Sequence, residues 1–322
     1  MEEKYKEKQR KLAISIVGLT ASGKTSFLHN ILDLLIAEGV SFTTISVDSG
    51  AVYKHLDIGT AKPSAEEIER YNYRLVDVVS PCERYSLARF IKDTDEVLRH
   101  VDTDVVFLIG GTPLYFYTLV GESGYVPVQP DSAIRNHLRQ LVSERGSEYI
   151  YNLMKALDPI SAEKIHPNDV KRIIRTIEIN LSTGKMRTYA TEYYTSFQRH
   201  FTELRYILLP PPDVLRGRIY KRTHIMFQMG FVEEAGRVAD MCPPPAPWLE
   251  VLGYKHAYDA YRGHITEDEA INEVFTDTWR FSRRQRTWFK NDKKAHFIIT
   301  QEDQEHARDE IIGYIRNYTR NR

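Results

Sequence analysis

Apolar positions along the first third of the chain alternate between short continuous runs and helical spacing. Ala13-Ile14-Ser15-Ile16-Val17 is a run, and Phe27, Leu28, Ile31, Leu32 and Leu35 follow at helical spacing, so a buried strand hands over to a helix. Thr43-Thr44-Ile45-Ser46-Val47 reads as a second strand ending at Asp48-Ser49, and Tyr73 to Val79 as another. A helix is expected from about Ser86 to His100, with Leu87, Phe90, Ile91 and Leu98 on its inner face. Asp104 to Ile109 is almost continuously apolar, as at the middle of a parallel sheet. From about Glu122 the strand signal stops. Pro127, Gln129, Pro130 and Asp131 mark a boundary, and helical periodicity then runs to about Gly184. Leu204 to Leu209 returns to strand and closes at Pro210-Pro211-Pro212-Asp213, where a helix begins. Met241 to Pro247 is a proline-rich break, and two helices divided around Gly263-His264-Ile265 follow it. Phe297-Ile298-Ile299 and a helix to about Tyr314 end the pattern as a last strand and packing helix.

The loop after the first strand carries the chemistry. Gly18-Leu19-Thr20-Ala21-Ser22-Gly23-Lys24-Thr25 has P-loop spacing, in which backbone N–H groups turn inward around a di- or triphosphate. The helix behind it adds its positive end, Lys24 a mobile charge and Thr25 a hydroxyl for Mg²⁺. The predicted fold is therefore α/β: a P-loop NTPase-like core with a mostly parallel sheet flanked by helices, plus an α-helical insertion domain. Its expected divisions are residues 1–122 for the first part of the core, 123–198 for the insertion and 199–322 for core completion with C-terminal helices.

Composition narrows this further. The 322 residues are 42% hydrophobic and 27% charged, with no apolar run long enough to span a bilayer, so no membrane partner is expected. Met1 to Lys11 is charged and lacks the apolar stretch of a secretion signal, which points to the cytoplasm. Cys82 and Cys242 have no metal-type spacing and are expected as reduced thiols. A formal net charge of zero argues against indiscriminate nucleic-acid binding, which makes charge placement the informative quantity.

Asp48 stands just beyond a strand end, where ligand-contacting residues of open α/β sheets lie; it reads equally well as a helix cap. The fourth strand ends in Gly110-Gly111-Thr112 without the acidic residue that a P-loop hydrolase usually has there, which moves that role to Asp48. Arg218 and Arg222, one helical turn apart, can aim at one anion, though exposed helix arginines are commonly just solvated. Lys171 and Arg175 share a helical face. Trp279 to Lys290 interleaves cations with aromatics: Arg280, Arg283, Arg284 and Arg286 among Phe281, Trp288 and Phe289. This is the strongest nucleic-acid signal in the chain, with Trp279 and Phe281 better read as core.

With these residues in view, nearly the whole chain resembles the tRNA dimethylallyltransferase (tRNA isopentenyltransferase) family. The matching stretches are Gly18 to Thr25, Ile45 to Ser49, Asp57-Ile58-Gly59-Thr60-Ala61-Lys62-Pro63, and Gly110 to Tyr115. His166 to Asp169, Arg218 to Met226 with Gly230, Leu252-Gly253-Tyr254, and Arg284 to Trp288 continue the match in order. The family usually has proline at Leu19, methionine at Pro113, and alanine or another apolar residue near Gly50. None of these departures removes a charged or hydrogen-bonding group. The resemblance implies transfer of a dimethylallyl group from dimethylallyl diphosphate to the exocyclic amine of the adenine 3′-adjacent to the anticodon, releasing diphosphate. It implies Asp48 as base, with Lys24, Thr25 with Mg²⁺, and Arg222 or its rival Arg218 stabilising the leaving diphosphate. It also implies a tRNA path along Asp48, Ser49, Gly50, Ala51 and Thr112, then Lys171, Arg172, Ile173, Ile174 and Arg175. That path continues over Glu250 to Lys255, including Gly253 and Tyr254, and over Arg283, Arg284, Gln285, Arg286, Thr287, Trp288, Phe289 and Lys290. The expected partners are the tRNA anticodon stem-loop and dimethylallyl diphosphate, and the chain is expected to act as a monomer. A P-loop nucleoside or metabolite kinase explains Asp48 but not the basic aromatic segment. An adenylate prenyltransferase acting on free AMP needs neither that segment nor the insertion. A non-catalytic RNA-binding module does not need an intact Lys24, Thr25 and Asp48.

Overall fold

The computed structural model describes residues 10–123, 128, 131–186 and 195–320; the charged stretch at 1–9 and the expected boundary residues Pro127, Gln129 and Pro130 lie outside them. Two compact units result, one containing the described residues up to Phe116 and from Ser196 onward, the other Tyr117 to Thr195.

The first unit opens with β1 (Lys11–Gly18), α1 (Lys24–Ala37), β2 (Phe42–Ser46), α2 (Ala65–Arg70), β3 (Tyr73–Arg74), α3 (Leu87–His100) and β4 (Val105–Gly110). The helix α4 (Pro113–Leu119) leads toward the second unit, which holds α5 (Ser132–Arg145), α6 (Ser147–Leu157), α7 (Pro159–Ala162) and α8 (Val170–Thr183). The first unit resumes with α9 (Ser196–His200), β5 (Phe201–Leu208), α10 (Pro212–Gln228), α11 (Phe231–Met241), α12 (Tyr254–Tyr261), α13 (Glu267–Phe289), β6 (His296–Ile298) and α14 (Gln301–Arg320).

Six strands form one sheet in the order β3-β2-β4-β1-β5-β6, with every pairing parallel. β1 lies between β4 and β5 and is apolar almost throughout because both its faces are covered. On one face Ile14, Ile16 and Phe107 pack with Leu28, Ile31 and Leu32 of α1 and Ile311 and Ile315 of α14. A separate cluster joins Phe231 and Val238 of α11, Trp248, Tyr254 and Val274 to Val52, Tyr53 and Leu56 from the loop after β2.

The strand expected through Val79 stops after Arg74. Leu75 and Asp77 adopt positive φ (62° and 55°), which breaks the ladder, and Val79 keeps only an isolated bridge to Tyr53. The cysteines also differ from expectation. Cys82 and Cys242 are joined as a disulfide, with Cα atoms 5.5 Å apart, because folding brings together two loops 160 residues apart in sequence. α3 forms where expected, with Ser86 accepting from Arg89 N–H as its cap; Phe90, Ile91 and Leu98 are buried and Leu87, in its first turn, is half-buried.

In the second unit, Leu138, Ile150, Met154, Ile173, Ile174 and Ile177 make a helical core. Helix α8 ends where its sequence does, at Gly184 in the left-handed conformation (φ 65°). Two of the residues expected along a tRNA path, Ile173 and Ile174, are buried in this core and present almost no surface. Arg175 is engaged too: it donates to the buried Glu178 (2.7 Å) and to Val128 O (2.8 Å). Lys171 and Arg172 remain exposed.

Candidate active site

A cleft of about 510 Å³ opens at the C-terminal ends of β1, β2 and β4, where the sheet delivers Lys24, Thr25, Asp48 and Gly110 to one place. The P-loop forms its wall. Gly23 takes a left-handed conformation (φ 95°) that a side chain would strain, and α1 then begins without any side-chain cap, leaving its first N–H groups for an anion. Behind it, Leu19 N–H donates to Leu208 O (3.4 Å) and Ser22 N–H to Leu19 O (3.2 Å), so the loop is shaped by its own backbone.

Lys24 folds back to donate from Nζ to Leu19 O at 2.6 Å. Burial pushes its pKa down to about 8, against the opposing pull of Asp48; Arg222 adds a further downward push. Arg222 is held low by burial as well and is supported by Asp48, and its guanidinium reaches Thr60 O at 3.4 Å. Two crowded cations therefore face one carboxylate across the cleft, an arrangement that an arriving polyanion relieves.

Asp48 caps a turn and not a helix, since the next helix begins only at Ala65, and it also borders the cleft. Its Oδ1 accepts from Gly50 N–H (2.8 Å) and Ala51 N–H (3.3 Å), capping the turn after β2. Its Oδ2 accepts no hydrogen bond among the described residues, and the residue lines the cleft. Beside it, Ser49 N–H donates to Thr112 Oγ1 (3.1 Å), tying the ends of β2 and β4 together. Gly50 and Ala51 are buried under this turn, so they shape the cleft floor and offer little surface for RNA.

The two arginines on α10 separate clearly. Arg222 lines the cleft, whereas Arg218 donates to Ser22 O at 3.0 Å, on the outward, carbonyl side of the P-loop, next to a smaller cavity of about 220 Å³.

The stretch Asp57 to Pro63 is held as a cleft wall mainly by a residue that the sequence does not single out. Glu234 of α11, buried, accepts from the N–H groups of Asp57 (3.0 Å), Ile58 (2.8 Å) and Gly59 (3.1 Å) and from Tyr254 Oη (2.6 Å). At Gly59 a Cβ would run into the Phe231 and Tyr254 rings, so only glycine allows this approach. Lys62 Nζ ties Tyr53 O (2.7 Å), Asp57 (2.8 Å) and Asp77 (2.5 Å) together. No local pattern announces Glu234, because the three backbone N–H groups it accepts from lie 175 to 177 residues earlier.

The expected RNA-contacting segment on α13 divides by face. Arg283, Arg284, Thr287, Trp288 and Lys290 are exposed, and Arg284 lines the cleft rim. Phe289 is fully buried, Gln285 is 1% exposed, and Arg286 donates to Pro210 O; these three hold the helix to the core. Gly253 and Tyr254 are buried too, with Tyr254 committed to Glu234, while Lys255 stays exposed. Trp279 and Phe281, expected as core, are half-buried.

Among the described residues no group of three or more His, Cys, Asp or Glu side chains could hold a metal ion by itself. Thr25, exposed at the start of α1, is a hard oxygen donor of the kind Mg²⁺ takes alongside substrate phosphates, so the site fits that ion.

Comparison with known proteins points to one family. A family model described as IPP transferase matches residues 51–292. A tRNA dimethylallyltransferase of Carboxydothermus hydrogenoformans is 34% identical over 302 residues, covering 93% of this chain and 96% of that protein. One from Acetivibrio thermocellus is 36% identical over 309 residues, 94% and 96% of the two chains. The full-length tRNA isopentenylpyrophosphate transferase from Bacillus halodurans superposes with a TM-score of 0.66 at 28% identity, covering 97% of this chain and 99% of that one. A eukaryotic dimethylallyltransferase acting on tRNA shares the fold, with a TM-score of 0.75 at 22% identity over 98% and 80% of the chains.

Proposed function

The chain belongs to the IPP transferase family, and from that premise we propose that it is a tRNA dimethylallyltransferase using dimethylallyl diphosphate as donor. The acceptor on this reading is the exocyclic amine of the adenine 3′-adjacent to the anticodon, extruded from its stack so that it reaches the cleft. The observation that carries the proposal is the meeting of one carboxylate and two crowded cations, Asp48, Lys24 and Arg222, in a single cleft at the strand ends.

The donor diphosphate sits against the P-loop N–H groups, Lys24 and Arg222. As the allylic C–O bond breaks, its electron pair leaves with the diphosphate oxygen, and these fixed donors meet the growing charge without reorganising. The adenine nitrogen forms the new C–N bond and gives up its proton to Asp48 Oδ2, the oxygen that the capping bonds leave available. Thr25 is the residue that would hold Mg²⁺, which would supply charge neutralisation to the leaving diphosphate. Arg218, braced against Ser22 O, supports the loop from its outer side. RNA is gripped along the exposed cations of α13 and at Lys255, which reconciles a net charge of zero with a polyanionic substrate. The setting that goes with this reading is a monomer acting in the cytoplasm; no helix among the described residues is long and apolar enough to cross a membrane.

Asp48→Asn keeps the capping oxygen and removes the base. With dimethylallyl diphosphate, Mg²⁺ and an anticodon stem-loop RNA, the wild-type chain should add an isoprenoid to the adenine, detected by mass analysis of the digested RNA. The Asn variant should bind RNA normally and transfer at least a hundredfold more slowly. Phosphate gain from ATP in place of isoprenoid gain would overturn the assignment.

A further inference from the structure

Gln285 sits in the segment read from sequence as an RNA contact, yet its side chain points the other way. It is 1% exposed. Its Oε1 accepts from Thr20 N–H at 2.9 Å, in the first half of the P-loop, and its Nε2 donates to Gly111 O at 2.5 Å, at the end of β4. Gly111 is fitted to this contact: a Cβ there would lie 2.7 Å from Gln285 Nε2 and 3.8 Å from Lys24 Nζ. One amide thus bridges the two backbone segments on either side of the Lys24 ammonium.

We propose that Gln285 is a positioning residue for the diphosphate cradle, holding Thr20 and Gly111 in place so that the loop is formed before its anion arrives. This deepens the proposed function and rests on it, since it takes the P-loop as the diphosphate site. Leu19 and Ser22 are already anchored by backbone bonds, and Thr20 N–H is the loop amide fixed from outside by a side chain. Only a group that accepts at one end and donates at the other satisfies both sites, which an amide does and a carboxylate or an alkyl chain does not. A loop that must order itself on binding loses part of its affinity to that ordering, and a preorganised one does not. Arg284, the neighbouring residue, faces the cleft rim and solvent, so adjacent positions on α13 serve RNA and diphosphate separately.

The test uses the full chain, with inorganic diphosphate and Mg²⁺ as the probe in calorimetry and an anticodon stem-loop RNA in a separate titration. Gln285→Met preserves length and removes both bonds. We expect it to weaken diphosphate binding by about tenfold, from two net hydrogen bonds, and to raise KM for dimethylallyl diphosphate more than it lowers kcat. RNA affinity should change less than twofold. Gly111→Ala, which crowds the amide without altering it, should weaken diphosphate binding in the same direction and decides the matter should the Met variant fail to fold. Diphosphate affinity within twofold of wild type in a folded variant, or a loss confined to RNA binding, overturns the proposal. Failure of the wild-type chain itself to bind diphosphate instead overturns the functional reading beneath it.

Discussion

Glu234 offers a sharp test of how the cleft wall is built. It serves four donors from a buried position: Oε2 takes Asp57 and Ile58 N–H, and Oε1 takes Gly59 N–H and Tyr254 Oη. Burial and the adjacent carboxylate both hold the Tyr254 hydroxyl in its protonated, donating form, well above its ordinary pKa. Glu234→Gln changes shape little but gives one end of the side chain donors of its own. Whichever way the amide faces, Nε2 meets at least one backbone N–H that it cannot accept from. Each buried donor left without a partner costs ~1–3 kcal/mol. Asp57 is exposed, and Ile58 and Gly59 are half-buried, so water can reach part of the opened loop and the lower half of that range applies. We therefore expect Glu234→Gln to lose about 2 kcal/mol of stability, and Glu234→Ala, which orphans all four donors, about 4 kcal/mol. Urea unfolding followed by tryptophan fluorescence measures both. Because Arg222 bonds Thr60 O on the same loop, diphosphate affinity should fall in both variants. A loss under ~0.5 kcal/mol for the Gln variant would mean that the wall is held by its apolar packing and not by this carboxylate.

Lys24 predicts a pH dependence. Its folded pKa of about 8 lies below the ordinary 10.5, and a bound diphosphate raises it again. Diphosphate affinity should therefore be flat below pH 8 and fall as pH rises through it, a slope that calorimetry should find missing in Lys24→Met. The ligand-free protein has the opposite sign: between about 8 and 10.5 the unfolded chain holds the extra proton, so this group makes stability rise with pH there. Arg222→Ala should weaken diphosphate binding by tenfold or more and Arg218→Ala by less than threefold, since only the first lines the cleft; equal losses in calorimetry would refute that division. Arg284→Ala should weaken RNA binding and lower its salt slope by about one. Arg286→Ala should instead cost ~1–2 kcal/mol of folding stability through the lost bond to Pro210 O, with RNA affinity retained; the reverse pattern in salt titrations and urea unfolding would exchange the two roles.

Local sequence settled what depends on local physics. The run from Ala13 to Val17, the glycine spacing after it and the helical register of Phe27 to Leu35 announced a buried strand, an anion nest and its helix, because each is encoded within a few residues. The apolar strand of residues 105–110 and the helical stretch ending at Gly184 were legible for the same reason. Only the tertiary structure decided which side chains face which way. Strand periodicity at Tyr73 to Val79 was overruled by positive φ at Leu75 and Asp77, the latter pinned by Lys62. The two cysteines, the choice between Arg218 and Arg222, the grip of Glu234 on residues 57–59 and the inward turn of Gln285 all depend on segments tens to hundreds of residues apart. A helix's sequence states its periodicity, but not which of its faces a distant loop will bury. That is why cations and aromatics on α13 read as one RNA-facing band, and why the fold splits them into an exposed rim and a buried brace.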